Sequence, residues 1–224
     1  MDGIIYGYDP GGDGKHGLAE IKVKDSKPLN LTTRSLDNAH TILRHIHEGP
    51  PPLGLGVDTL AAWSTGRCGW RPADRWLRDK YRSCRISVKA PNGLRGSMAL
   101  NGMAVIQALR DRWPNLIVSE THPKVLYYAL TGNLYRTVSL AERISQIGRW
   151  LDLVDVKINS DDEWDAAVSA YAALQGITKA WAIDLHKLPS TADESIIMPG
   201  GKVSYFWPSV TPSSHSSAPT PQRP

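Results

Sequence analysis

The sequence predicts an α/β layered fold, a mixed central sheet flanked by helices. Three observations carry this. Short apolar runs crowd between Gly3 and Thr33, close enough to meander as antiparallel strands. Later apolar runs are separated by stretches long enough to need crossovers, which parallel strands require. Between them lie stripes with apolar residues three and four apart, the period of a helix packed on one side.

In chain order, Gly3–Asp9 and Gly17–Lys24 read as strands around a glycine-rich turn, and Leu29–Thr33 as a third. Ser35–Glu48 reads as a helix through Leu36, Ala39, Leu43 and Ile46, stopped by Gly49 and three prolines. Gly54–Asp58 is a short buried strand, and Thr59 to Gly69 reads as loop. Pro72 suits the first position of a helix, Pro91-Asn92-Gly93 a turn, and Met98–Arg112 another helix. Asn115–Glu120 is the next strand. A short helix then opens at Pro123 and closes at Gly132. Ser139 with Glu142 and Ser160 with Glu163 read as capping boxes. The first precedes a stripe from Leu140 to Val154, the second a helix bearing Trp164, Val168 and Tyr171. Trp181–Leu185, Ser195–Met198 and Val203–Trp207 are candidate late strands. Residues 1–207 therefore read as one domain, and 208–224, rich in Ser and Pro, as a disordered tail.

Composition narrows the function classes. No apolar run approaches the roughly 18 residues of a membrane span, and Met1-Asp2-Gly3 opens no secretory signal. Cys68 and Cys84 make neither a disulfide framework nor a zinc site, so they read as reduced thiols of a cytoplasmic protein. His40, His45 and His47 read as surface histidines.

The acids are distributed in a suggestive way. Asp9, Asp58 and Glu120 each directly follow an apolar strand candidate, and Asp162 and Asp165 share one face of a helix. Hard divalent ions prefer such oxygen ligands, and a pair of them suits phosphodiester hydrolysis. We therefore expect Asp9, Asp58, Asp162 and Asp165 to meet as ligands of Mg²⁺ or Mn²⁺, with Glu120 nearby. All but Asp165 also have a plain structural use: a turn at Asp9, a cap at Asp58, a surface pair at Glu120, a helix dipole at Asp162; Asp165 sits beyond the first helical turn, beside the apolar stripe. His122 could relay protons, or simply stand at a helix N-terminus.

The net charge is +4, but eleven cations against three acids lie between Arg67 and Arg112, with Trp70, Trp76 and Tyr81 among them. Such a stretch suits a polyanion with stacking bases, DNA or RNA, gripped by Arg67, Arg71, Arg75, Arg78 and Arg82. It equally describes a solvated helical face over core aromatics.

Gly7-Tyr8-Asp9-Pro10-Gly11, with Gly17 beyond, resembles the first strand of RuvC-type Holliday-junction resolvases of the RNase H-like superfamily, and Asp162-x-x-Asp165 resembles their paired late aspartates. More closely, the chain is similar to domain-of-unknown-function family 429, catalogued as RNase H-like nucleases. The shared residues are Gly56-Val57-Asp58, Glu120-Thr121-His122-Pro123, Asp161 through Ala167, and Glu194 through Pro199. The resemblance implies an RNase H-like fold and Mg²⁺- or Mn²⁺-dependent cleavage of nucleic acid, with Asp9, Asp58, Asp162 and Asp165 as ligands. One departure stands out: the glutamate that RNase H proper carries on its first helix has no counterpart, which favours the RuvC arrangement.

Two other functions compete. A nucleic-acid-binding protein that keeps the fold without the chemistry would use only the basic stretch. A phosphotransferase of the actin and sugar-kinase kind would need a second Asp-Gly phosphate loop, and Asp58-Thr59-Leu60 supplies no glycine.

Overall fold

A computed structural model describes residues 1–12, 15–66, 69–91, 96–191 and 193–209. Strands β1 (Gly3–Asp9), β2 (His16–Lys24) and β3 (Lys27–Leu36) form the meander. Asp25 and Ser26, with φ of 51° and 64°, turn β2 into β3, the left-handed backbone that tight hairpins use. β3 outruns its predicted end and takes Ser35 and Leu36 from the expected helix. Helix α1 (Ala39–Glu48) starts only after Asn38, whose side chain accepts the Thr41 N–H at 2.9 Å. The asparagine cap, not the apolar stripe, sets that boundary.

Then come β4 (Pro52–Val57), a two-residue β5 (Trp63–Ser64) inside the expected loop, α2 (Pro72–Lys80) and α3 (Gly96–Arg112). β6 (Val118–Glu120) is shorter than predicted, because Leu116 N–H turns back to the Trp113 carbonyl. Helices α4 (Pro123–Thr131), α5 (Leu140–Leu151) and α6 (Asp161–Ile177) follow. The Ser139–Glu142 capping box is present. Asp152, at φ 54°, ends α5 early, so Val154 leaves the predicted stripe and stands 89% exposed. The late strands shrink to β7 (Ile183–Asp184), β8 (Ile196–Ile197) and β9 (Phe206–Trp207), pairing β5 with β8 and β7 with β9. The predicted tail falls outside the described residues beyond Ser209. Among those described, no helix is long and apolar enough to cross a membrane.

The main sheet runs β3-β2-β1-β4-β6, with β1, β2 and β3 antiparallel and β4 and β6 parallel to β1. One face buries Tyr8, Leu18, Leu55 and Val57 against Ile42 and Ile46 of α1 and Val105, Ile106 and Leu109 of α3. The other face carries α6, and here the layers almost touch. A Cβ added to Gly7, Gly17 or Gly56 would stand 1.9–2.0 Å from the carbonyl oxygens of Ala166, Asp162 and Ser169 respectively. Three adjacent strands thus offer bare backbone, and α6 lies directly upon it.

The start of α6 is pinned as well. Ser160 Oγ accepts the Glu163 N–H at 3.1 Å, half of the expected capping box. The Glu163 carboxylate instead takes Asn159 N–H at 2.9 Å, Thr33 Oγ1 at 2.7 Å and Ser35 Oγ at 3.1 Å. Those bonds tie the helix to β3.

Candidate active site

The pleat decides which acids face α6. Gly7 pairs with Gly56 in the parallel ladder, and both lie under the helix. Two residues further on, Asp9 and Asp58 keep that side. Asp9 closes β1, while Asp58 follows β4 and its N–H donates to the Tyr8 carbonyl at 2.9 Å. Gly17, opposite Asp9, supports the Asp162 backbone. Asp165 is one turn along α6.

Four aspartates from three elements therefore share one electrostatic neighbourhood. Asp9 is 8% exposed, and burial first, then Asp58, Asp165 and Asp162, push its carboxyl well above the usual range. Burial and then Asp165 do the same to Asp58. Asp165, 3% exposed, is pushed up to about 6 by burial, even though Lys124 opposes the shift. Lys124 Nζ sits 2.8 Å from Asp165 Oδ2. Burial would drive this ammonium toward the neutral amine, but Asp165 and Asp58 outweigh it and hold it protonated.

Among the described residues, no three His, Cys, Asp or Glu side chains already stand close enough to ligate one ion. The four expected ligands thus converge as charges rather than as a finished coordination shell. Lys124 engages one oxygen of Asp165. The donors nevertheless fit a hard divalent ion: all are carboxylate oxygens, and Asp165 Oδ1 is buried without a hydrogen-bond partner.

Glu120 belongs to a different assembly. It pairs with Val57 rather than Asp58, so it falls one residue out of phase in the pleat. Arg71 donates to Glu120 Oε1 at 2.6 Å and Oε2 at 2.8 Å, and to Asp74 at 2.8 and 2.9 Å. Its last N–H reaches the Ala62 carbonyl at 3.2 Å, so all five guanidinium donors are engaged. The Ala61 N–H also reaches Glu120, at 3.0 Å. Burial alone would raise the Glu120 carboxyl, but Arg71 and His186 hold it down to about 2. The expected catalytic Glu120 is therefore a fully paired strut that fixes the exit of β6 to the start of α2.

His122 corrects the proton-relay expectation in a similar way. Its Nε2 lies 2.9 Å from the Ser87 carbonyl, and burial pushes the ring down to about 4, so it stays neutral at ordinary pH. It lines a cavity of about 220 Å³ beside the acids, together with Asp58, Thr121 and Lys124.

The basic stretch is mostly consumed by structure. Arg71 is 1% exposed inside its ion cluster, which removes it from any phosphate contact. Arg75 pairs with Glu194 and the Trp70 carbonyl. Arg78 donates to the Arg85 and Val88 carbonyls and covers the Trp70 ring at 4.5 Å. Trp76, partly buried, meets Tyr81 and Trp207 edge-on at 6.0 and 6.3 Å and packs against the core. Arg82 is exposed and remains available, and Arg67 lies outside the described residues. Cys84 is buried, its thiol pushed up to about 11 by that burial, and inert. Cys68, like Arg67, is outside the described residues.

Two residues escaped the sequence reading. Lys124 occupies the first turn of α4, where the helix dipole disfavours a cation, and that misplacement was the available signal. His16 Nδ1 lies 2.7 Å from Tyr8 Oη, a buried polar pair on the sheet face away from α6, where Tyr8 packs with α1 and α3.

The strand order and senses define an RNase H-like fold. No family model matches the chain, and no curated protein matches it. Among solved structures it is similar to RuvC of Thermus thermophilus in complex with a Holliday junction substrate, with a TM-score of 0.45 and 14% identity over 79% of this chain and 96% of that one. A second RuvC structure from the same organism gives 0.44 and 14% over 79% and 97%.

Proposed function

We propose that this protein is a divalent-metal-dependent nuclease that hydrolyses phosphodiester bonds of DNA or RNA. The observation that carries the reading is the crowding at Asp9, whose carboxyl is driven up first by burial and then by three other aspartates from the end of β4 and from α6. Folding gathers such like charges at a cost, and a cation relieves it. Asp9, Asp58, Asp162 and Asp165 would hold Mg²⁺ or Mn²⁺, which supplies positive charge to a phosphoryl group and to an attacking water. Lys124 balances the aspartates and lies where a phosphate could also engage it. Glu120 and Arg71 hold the β6 exit rigid, and Arg82 offers an exposed cation for the flanking backbone. The short motifs that resemble family 429 favour the same chemistry, although no family model matches the chain.

The test joins two measurements on the full chain. Millimolar Mn²⁺ is expected to raise the melting temperature by several degrees and to support cleavage of plasmid DNA, a branched duplex or RNA. Asp165→Asn is expected to remove both effects. The absence of both the shift and the cleavage in wild type would sink the proposal. A second reading, nucleic-acid binding without hydrolysis, is favoured by the Lys124–Asp165 pair, which already neutralises one ligand. Metal-independent binding that Asp9→Asn leaves unchanged, with no cleavage of any substrate, would decide for it.

A further inference from the structure

The acidic cluster already contains a cation of its own. Lys124 directly follows Pro123 in the first turn of α4, where the helix dipole works against an ammonium. The attraction that holds it lies across the site. Nζ is 2.8 Å from Asp165 Oδ2 and 5.1 Å from the centroid of the Tyr135 ring. Asp58 lines the same cavity as Lys124 and attracts it from there. Two carboxylates, from the end of β4 and from α6, and one aromatic face make a fitted setting for a compact positive charge. The Lys124 side chain is 39% exposed and that of Asp165 only 4%. The ammonium therefore closes the solvent side of a buried acid.

A site that works with two divalent ions holds them about 3.5–4 Å apart among its carboxylates. Here one cation position among those carboxylates is filled by the chain itself. A divalent ion beside the same oxygens would meet the ammonium at close range, and like charges so near repel strongly where water is scarce. We infer that the four aspartates take one divalent ion, and that the Lys124 ammonium, beside Asp165 and Asp58, stands in for a second. An ammonium has three N–H donors. With one given to Asp165, others stay available to a phosphoryl oxygen at the open side. Lys124 cannot acidify a water as a metal ion does, so it supplies charge and position only. The inference rests on the nuclease reading for the purpose of the ion, and it fixes how many ions that chemistry has to work with.

The experiment counts Mn²⁺ on the full chain with no nucleic acid present, by calorimetry and by the electron paramagnetic resonance of free and bound Mn²⁺. Wild type is expected to bind one ion per chain with the spectrum of an isolated Mn²⁺. Lys124→Met, which keeps the length of the stem and removes the charge, is expected to bind two, with the spectrum of a spin-coupled pair. Lys124→Gln is measured beside it and is expected to do the same. Lys124→Arg, which restores the charge, is expected to return the count to one. Lys89→Met removes another cation of the same cavity and is expected to leave the count at one. Two ions or none in wild type, or a single ion in both neutral variants of Lys124, overturns the inference. The expected counts without cleavage of any nucleic acid would remove the hydrolase and keep the lysine's role; Mn²⁺-dependent cleavage by a wild type that binds two ions would do the reverse.

Discussion

Among single residues, Arg71 and Asp165 make opposite kinds of demand on the fold. Arg71 is satisfied at every donor, so Arg71→Met strands Glu120 and Asp74 as buried, unpaired carboxylates. A loss of about 3–5 kcal/mol is expected in urea unfolding, against less than about 0.5 for the exposed Arg82→Ala. Asp165 makes the fold pH-sensitive in chelator. Its carboxyl binds a proton more tightly folded (about 6) than at the ordinary 3.8. Its stabilising contribution is therefore complete below the ordinary value and is lost as pH rises through about 6, on the order of 2–3 kcal/mol. His122 runs the other way: held down to about 4 from 6.5, it stabilises above the ordinary value and loses that contribution as pH falls toward 4. Asp165→Asn is expected to remove the first effect and, by taking a charge away from Asp9 and Asp58, to reduce theirs in the same direction, while leaving that of His122 in place. The aspartates were legible because each ends an apolar run or rides a helical face, which are local patterns. Lys124, Arg71 and the true task of Glu120 were not, because their partners lie 41 and 49 positions away and no periodicity links an ion pair across that distance.

For the elements, the sequence disclosed type and order better than edges. The sequence misplaces the crossing from β3 to α1 because Leu36 fits both a strand alternation and a helical stripe; its pairing with His16 decides for the strand. β6 was read long because Leu116 and Ile117 are as apolar as Val118, whereas a turn at Trp113 consumes the first of them. The contact of α6 with the sheet was invisible too, since a glycine in a strand announces closeness without saying to what. That contact makes a sharp prediction. Gly17→Ala places a methyl 2.0 Å from the Asp162 carbonyl oxygen and must lift the start of α6. A destabilisation of roughly 1–3 kcal/mol is expected, with Mn²⁺ affinity falling at least tenfold in calorimetry. Gly96→Ala, with nothing within 4 Å, is expected to change neither. Equal behaviour of the two variants would refute the proposed role of the contact.

Across the whole molecule, Arg71, Arg75 and Arg78 of the basic stretch are bound to carboxylates and carbonyls, which limits what that stretch offers a polyanion. Binding to single-stranded DNA in chelator should weaken with salt, but with a slope of only a few phosphate contacts. Arg82→Glu is expected to reduce affinity severalfold at low ionic strength, an effect that fades by about 0.5 M salt as screening sets in. The same layering that places the aspartates also governs how the protein tolerates change. With peptide groups resting on peptide groups beneath Asp162 and Asp165, there is no cushion of side chains to take up a misfit. Bulk added at Gly7, Gly17 or Gly56 meets the backbone of the helix that carries two of the carboxylates, so the chain has little room to drift there.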